Sequence, residues 1–272
     1  MEWSRAKTLL IVILLCVNIF LMATYISKEN EARNDEAMLK ADVVRILSGR
    51  GISVEPETIP SDSIVLTSAT VKKENDGRTA AEQLFGEVTE SVDDKNITYS
   101  AGNGNIMFSG DSFSLVYESG REVDGVEAAK SLASSIARKL SISTSKAEFS
   151  AKESGESYIV KVPQMHSGLH VFDCFVEFKI FPNGSVMAHG KFIGKGKTQR
   201  LRGDMKKTSA LLLDFVDEMA QRQESFVAIR KISLGYFSIS RSSEITILMP
   251  AIEIETDAGA YCLAMESGKI IS

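Results

Sequence analysis

Catalytic motifs are what this sequence most plainly lacks. It contains no G-x-S-x-G and no H-E-x-x-H, so neither a hydrolase nucleophile turn nor a helical zinc pair is written into it. The stretch "GKFIGKGKTQR" ends on Gly196-Lys197-Thr198, but a phosphate loop needs glycine five residues earlier, where Lys191 stands. In "GNGNIM", Met107 occupies the place of the third glycine of a dinucleotide loop. Histidine and cysteine are scarce, at three each. His166, His170, Asp173 and Cys174 in "HSGLHVFDC" are the strongest metal candidates. Strand alternation nevertheless sends Asp173 and Cys174 to opposite faces, whereas zinc needs three or four converging ligands. His189 has no motif around it. Cys174 and Cys262 are available to pair in an oxidising compartment, yet both lie in apolar strand patterns that suit buried free thiols. An excess of positive charge is missing too: the net charge of −5 argues against general nucleic-acid binding. No catalytic residue, metal or cofactor is expected, and the sequence does not read as an enzyme.

Charge is also absent between Lys7 and Lys28. From Leu9 to Ile26 the only clearly polar residues are Asn18 and Thr24, and about eighteen helical residues reach roughly 27 Å, enough for a bilayer core. A secretory signal would be shorter and would end at small residues. Here Tyr25 and Ile26 close the run, and Cys16 sits mid-run behind Leu15, where no lipid is attached. An uncleaved anchor over residues 8–26 follows. Arg5 and Lys7 precede it, while Glu29, Glu31, Asp35 and Glu36 follow. The positive-inside bias therefore puts residues 1–7 in the cytoplasm and residues 28–272 outside, as a single-pass protein of the cell membrane. Asn18 is costly in lipid; either it hydrogen-bonds a partner helix or a strong span tolerates it.

Outside the membrane the composition is that of a globular body, with 25% charged and 44% apolar residues. Periodicity predicts a helix over 30–49, a strand at about 64–72, a weaker helix over 79–90, and short strands near 96–100, 105–109 and 113–117. These make an N-terminal α+β lobe over 27–120. The C-terminal lobe, 121–272, reads as two helix-then-antiparallel-meander repeats at about 123–193 and 208–271. A gapless shift of 84 residues lays Ser167–Val186 on Ala251–Ile270, pairing Asp173 with Asp257 and the turns Asn183-Gly184 and Ser267-Gly268. In "VFDCFVEFKIF", Phe172, Cys174, Val176, Phe178 and Ile180 are expected on a buried face, with Asp173, Glu177 and Lys179 in water. Between the repeats, Lys191, Lys195, Lys197, Arg200, Arg202, Lys206 and Lys207 stand against the single acid Asp204. That concentration of charge suits anionic headgroups, wall polymers or an acidic partner, or else a solvated linker.

The opening "MEWSRAKTLLIVILLCVNIFL" resembles that of the YycI family: an acidic residue, Trp-Ser, basic residues with Lys-Thr, then an apolar helix with Asn-Ile-Phe-Leu. "LSGRGISVEPETIP", "HSGLHVFDCFVEFKIFPNGSV" and, more loosely, "ISLGYFSI…LMPAIEIETDAGAYCLAMESGKII" carry the resemblance along the whole length. Departures lie near the end, where Ala251 stands at an expected aromatic and the last strand keeps only Tyr261. The resemblance implies a single-pass protein with two related α+β lobes outside the membrane. With a sister YycH-like protein, it would regulate an essential sensor histidine kinase (WalK, also called YycG) of a two-component system controlling cell-wall metabolism. Contacts through the transmembrane helices and the outer domains are implied, which singles out Trp3, Asn18 and Phe20. Lys195, Lys197, Arg200 and Arg202 are the corresponding candidates outside. Two alternatives stand beside this: an extracytoplasmic binding or inhibitory module of the PepSY type, and an anchored wall-active enzyme with a site near His166 and His170.

Overall fold

In the computed structural model, residues 2–62, 66–73, 77–93, 96–142, 144, 149–191, 193, 196–201, 205–241 and 245–272 are described. The chain begins with one helix, α1 (Glu2–Gly49), of 48 residues. At 1.5 Å per residue it is roughly 72 Å long. No proline and no glycine before Gly49 interrupts it. Beyond the apolar run it is stabilised by the ladder Glu29–Arg33 at 2.6 Å and Glu36–Lys40 at 3.1 Å. Its last turns leave solvent: Val43 and Leu47 are buried, and Glu36 accepts a hydrogen bond from Ser61 Oγ at 2.9 Å. The hydrogen bond from Lys40, more than that from Ser61, holds the Glu36 carboxyl below its ordinary pKa.

Among the described residues the other α-helices are α2 (Gly77–Phe85), α3 (Val126–Lys139) and α4 (Thr208–Gln221), and Pro56–Thr58 forms one 3-10 turn. The strands in chain order are β1 (Ser68–Lys73), β2 (Thr89–Asp93), β3 (Asn96–Ala101), β4 (Gly104–Ser109), β5 (Ser112–Glu118), β6 (Ser150–Ser154) and β7 (Ser157–His166). They continue as β8 (Leu169–Ile180), β9 (Ser185–Lys191), β10 (Gly196–Leu201), β11 (Ile229–Ser240), β12 (Ile245–Thr256) and β13 (Ala260–Ala264). The class is α+β, as composition and periodicity indicate. All the strands join one mixed sheet in the order β10-β1-β12-β11-β8-β9-β5-β4-β3-β2, with β13 on β12, β7 on β8 and β6 on β7. Among the described strands every pairing is antiparallel except β8 with β11. Those two run parallel through only His170–Gly235 and Val171–Tyr236.

Two buried clusters lie along this sheet. The first gathers Val43 and Leu47 of α1, Ala69 and Val71 of β1, the apolar stripe of α4 (Leu211, Leu212, Phe215, Val216, Met219) and the inner residues of β11–β13. The second gathers α2, β3–β5, α3 and β7–β9. Ala129, Ala133 and Ala137 give α3 a small-residue face that lets it lie close on its strands. Residue 120 lies between β5 and α3, and both elements line the second cluster. Strand β8 belongs to both clusters, through Val171 and Cys174 to the first and through Val176, Phe178 and Ile180 to the second.

Strand β8 changes cores by breaking its own alternation. Between the pairs Pro163–Phe175 and Met165–His170, β7 advances two residues while β8 advances five. The bulge turns Val171 inward and leaves Phe172, expected inside, only half-buried. Glycine permits the close approaches on either side. A Cβ on Gly235 would lie 2.5 Å from the His170 carbonyl oxygen, and one on Gly190 would lie 2.2 Å from that of Phe175.

Candidate functional site

The apolar part of α1 presents its side chains outward, with Trp3 75% and Phe20 70% exposed. Among the described residues it is the one helix long and apolar enough to cross a membrane. Its two polar residues behave differently. Thr24 Oγ1 donates to the Phe20 carbonyl at 2.8 Å, the local bond that makes a hydroxyl tolerable in a helix. The exposed Asn18 amide has no hydrogen-bond partner among the described residues. It lies on one face with Ile11, Leu14, Leu15, Leu21 and Met22, at helical spacing. Lys7 Nζ sits 5.2 Å from the Trp3 ring, a cation against an interfacial aromatic.

The basic run is not a simple linker. Gly196–Leu201 forms β10, an edge strand on β1 with Lys197 opposite Lys72 and Arg200 opposite Ala69. Only the backbone of Lys197 and Arg200 is described, and Lys195 and Arg202 lie outside the described residues. Two of the remaining cations are engaged within the protein. Lys191 pairs with Asp173, and Lys206 Nζ reaches Asp214 at 2.8 Å and the Ser267 carbonyl at 2.9 Å.

The histidine segment is a hairpin rather than a ligand set. His166 and His170 flank the turn at Ser167 and Gly168 between β7 and β8. His166 stands edge-on to Tyr236 at 5.2 Å, while His170 and His189 are exposed. Among the described residues no three His, Cys, Asp or Glu side chains are grouped to hold a metal. Cys174 and Cys262 are buried free thiols. Burial, reinforced by nearby carboxylates, pushes both up to about 12, so neither is a thiolate near neutral pH.

Asp173, expected in water, instead stitches the two halves of the sheet. Its Oδ1 accepts the Ser238 backbone N–H at 2.8 Å, its Oδ2 accepts the Ser238 hydroxyl at 2.7 Å, and the Lys191 ammonium pairs with it. The cluster joins β8, β9 and β11 beside the two-residue parallel pairing. The bulge that aims Asp173 there leaves no sequence signal, because a period-two pattern reads through it.

The same bulge opens a pocket of about 170 Å³, with Lys161, Pro163 and Phe175 on one side and Lys231, Ser233 and Glu253 on the other. Lys161 Nζ lies 3.7 Å from the centre of the Phe175 ring. Lys231 Nζ lies 3.3 Å from Glu255. Glu253 is half-buried and has neither hydrogen bond nor ion pair among the described residues. Burial, then the charge of Glu255, raises its pKa, while Lys231 and Lys161 pull it back. A carboxyl whose folded pKa is raised contributes stability that is present below the unfolded value and lost as pH rises through the folded one. Glu253→Gln is therefore expected to raise the melting temperature at neutral pH. That gain should vanish in acid, where the glutamate is protonated in both states; thermal melts at pH 7 and pH 3.5 check it.

Fold and anchor together define a class: an α+β body built on one mixed sheet, carried by an N-terminal helix able to span a membrane once. No family model matches the chain, and no curated protein matches it. An uncharacterised protein from Eubacterium rectale is similar in structure at 13% identity and a TM-score of 0.47, over 76% of this chain and 86% of that one. The C-terminal domain of Bacillus megaterium YpeB follows at 10% identity and a TM-score of 0.35, over 74% of this chain and 96% of that one. At these values neither neighbour says what this chain does.

Proposed function

We propose that this protein is a membrane-anchored regulator of the YycI type with no catalysis of its own. With a sister YycH-like protein, it biases a WalK-like sensor histidine kinase that controls cell-wall metabolism. The observation that carries the reading is continuity: α1 runs unbroken from Glu2 to Gly49 and ends with Val43 and Leu47 inside a core. A displacement of the body therefore moves the span as one rod, with the N-terminus in the cytoplasm. The resemblance of "MEWSRAKTLLIVILLCVNIFL" supports the same reading, as does the unsatisfied Asn18 amide, which a neighbouring helix would satisfy. Regulation then requires that Trp3, Asn18 and Phe20 contact two kinase states unequally. Lys195, Lys197, Arg200 and Arg202 are the proposed outer contacts, toward anionic headgroups or an acidic partner.

Replacing Leu9–Ile26 by an unrelated apolar helix of equal length is expected to abolish the effect on a kinase-dependent reporter while leaving the protein in the membrane. Retained regulation would reduce the span to a tether. A second reading, a PepSY-type module that restrains a peptidase or binds peptide, is favoured by the build of α3 before β6–β9 and α4 before β11–β13. Recovery of a peptidase rather than a histidine kinase from membranes would select it.

A further inference from the structure

The pocket at the β8 bulge presents one carboxylate, Glu253, and two ammonium groups, Lys161 and Lys231, neither of which forms an ion pair with it. Glu253 on β12 has no hydrogen bond or ion pair among the described residues, and Lys161 on β7, opposite Glu177 in register, lies over the face of Phe175. Both line the same opening, where Lys231 and Lys161 act on Glu253 through space without forming an ion pair with it. Leaving a half-buried carboxylate without a partner costs stability, and folds retain such groups where a ligand completes them. Pro163 and Phe175 add an apolar wall, and Ser233 a hydroxyl, beside these charges. The volume of about 170 Å³ is well below that of sites for drug-sized ligands, roughly 300–1,000 Å³. Nucleotides and sugar chains are too large for it.

We infer that this pocket binds a small zwitterion, a free α-amino acid, with its ammonium on Glu253, its carboxylate on Lys161 and its side chain against Phe175 and Pro163. Lys231 is left to Glu255, with which it already pairs. The ligand would bridge β7, in the second core, and β12, in the first, across the two-residue junction of β8 with β11. Binding is therefore tied to the relative position of the two cores. The inference does not rest on the kinase reading, since it concerns a site distant in sequence from the span and is measured by binding alone.

The experiment is equilibrium dialysis of the full chain in detergent micelles against radiolabelled glycine, L-alanine, L-leucine and D-alanine. At least one is expected to bind saturably. Its N-acetyl and methyl-ester forms should each bind about tenfold or more weakly, because each removes one charge-assisted contact. Glu253→Gln and Lys161→Ala should each weaken the free amino acid to a similar degree. Lys179→Ala, an exposed residue outside the pocket, should leave affinity unchanged. Lys161 is itself exposed, so its alanine variant folds and keeps the test decisive even if position 253 proves sensitive. Absence of saturable binding by all four amino acids overturns the inference. So does a cap that costs nothing, or unchanged affinity in either pocket variant.

Discussion

Asp173→Ala is expected to destabilise the α+β body by about 2–4 kcal/mol, the order set by losing two hydrogen bonds to a charged group and a part-buried ion pair. The carboxylate side chain is only 15% exposed and accepts from the Ser238 N–H, the Ser238 hydroxyl, the Lys191 ammonium and, at 3.8 Å, the Cys174 thiol. Alanine leaves a buried N–H unsatisfied and a half-buried cation unpaired, and each is costly on its own. The loss falls where the sheet is weakest, beside a parallel pairing two residues long. Hydrogen exchange at Tyr236 and Ser238 should therefore accelerate more than exchange in β4 or β12. Asp173→Asn keeps an acceptor for Ser238 and should cost about half as much. Urea unfolding reads both variants, and a loss for alanine below about 0.5 kcal/mol would show that the β8–β11 seam is held by packing alone. Against a total stability of about 5–15 kcal/mol, the expected value is a large fraction.

Leu47→Ala is the second large effect, at about 2–5 kcal/mol. Leu47 is fully buried where α1 meets α4, and its carbonyl accepts the N–H groups of Arg50 at 2.9 Å and Ile52 at 3.0 Å as the helix ends. Arg50 adds an ion pair to Asp217 of α4 at 2.5 Å, exposed enough to contribute little. Truncating Leu47 opens a cavity in the contact that fixes the rod to the body. Ile46, 42% exposed on the same turn, is the control and should cost less than about 1 kcal/mol as alanine. If the rod transmits signal, Leu47→Ala should also blunt regulation at temperatures where the body is still folded. Regulation unchanged in a variant destabilised to this extent would separate the docking of α1 from its function.

Much of this was readable in the chain. The apolar run and its length mark the first half of α1 as able to span a membrane, because bilayer thickness and the cost of charge in lipid act on composition alone. Alternation located β3, β4, β5 and most of β8. The period of α4 located its buried stripe, since one-face burial imposes periods of 2 and 3.6 whatever the partner. The helix expected over 79–90 is instead α2, ending at Phe85, followed by β2 from Thr89, since Gly86 stops the helix and an exposed edge strand needs no apolar alternation.

What the chain could not announce is which elements share a core. Segments far apart in sequence, Val43 to Val71 and Leu211 to Met265, close one cluster, while β3–β5 join α3 and β7–β9 in the other. The bulge at residues 171–174 is equally silent, although it reverses Val171, aims Asp173 at Ser238 and opens the pocket between Lys161 and Glu253. Sequence pattern by itself determined that this protein has a helix able to span a membrane and an α+β body, because those depend on local periodicity and on transfer from water. Only tertiary structure decided where the halves meet and which charges face each other there, because an inserted jog in one strand changes every side chain's neighbours while leaving the order of residues untouched.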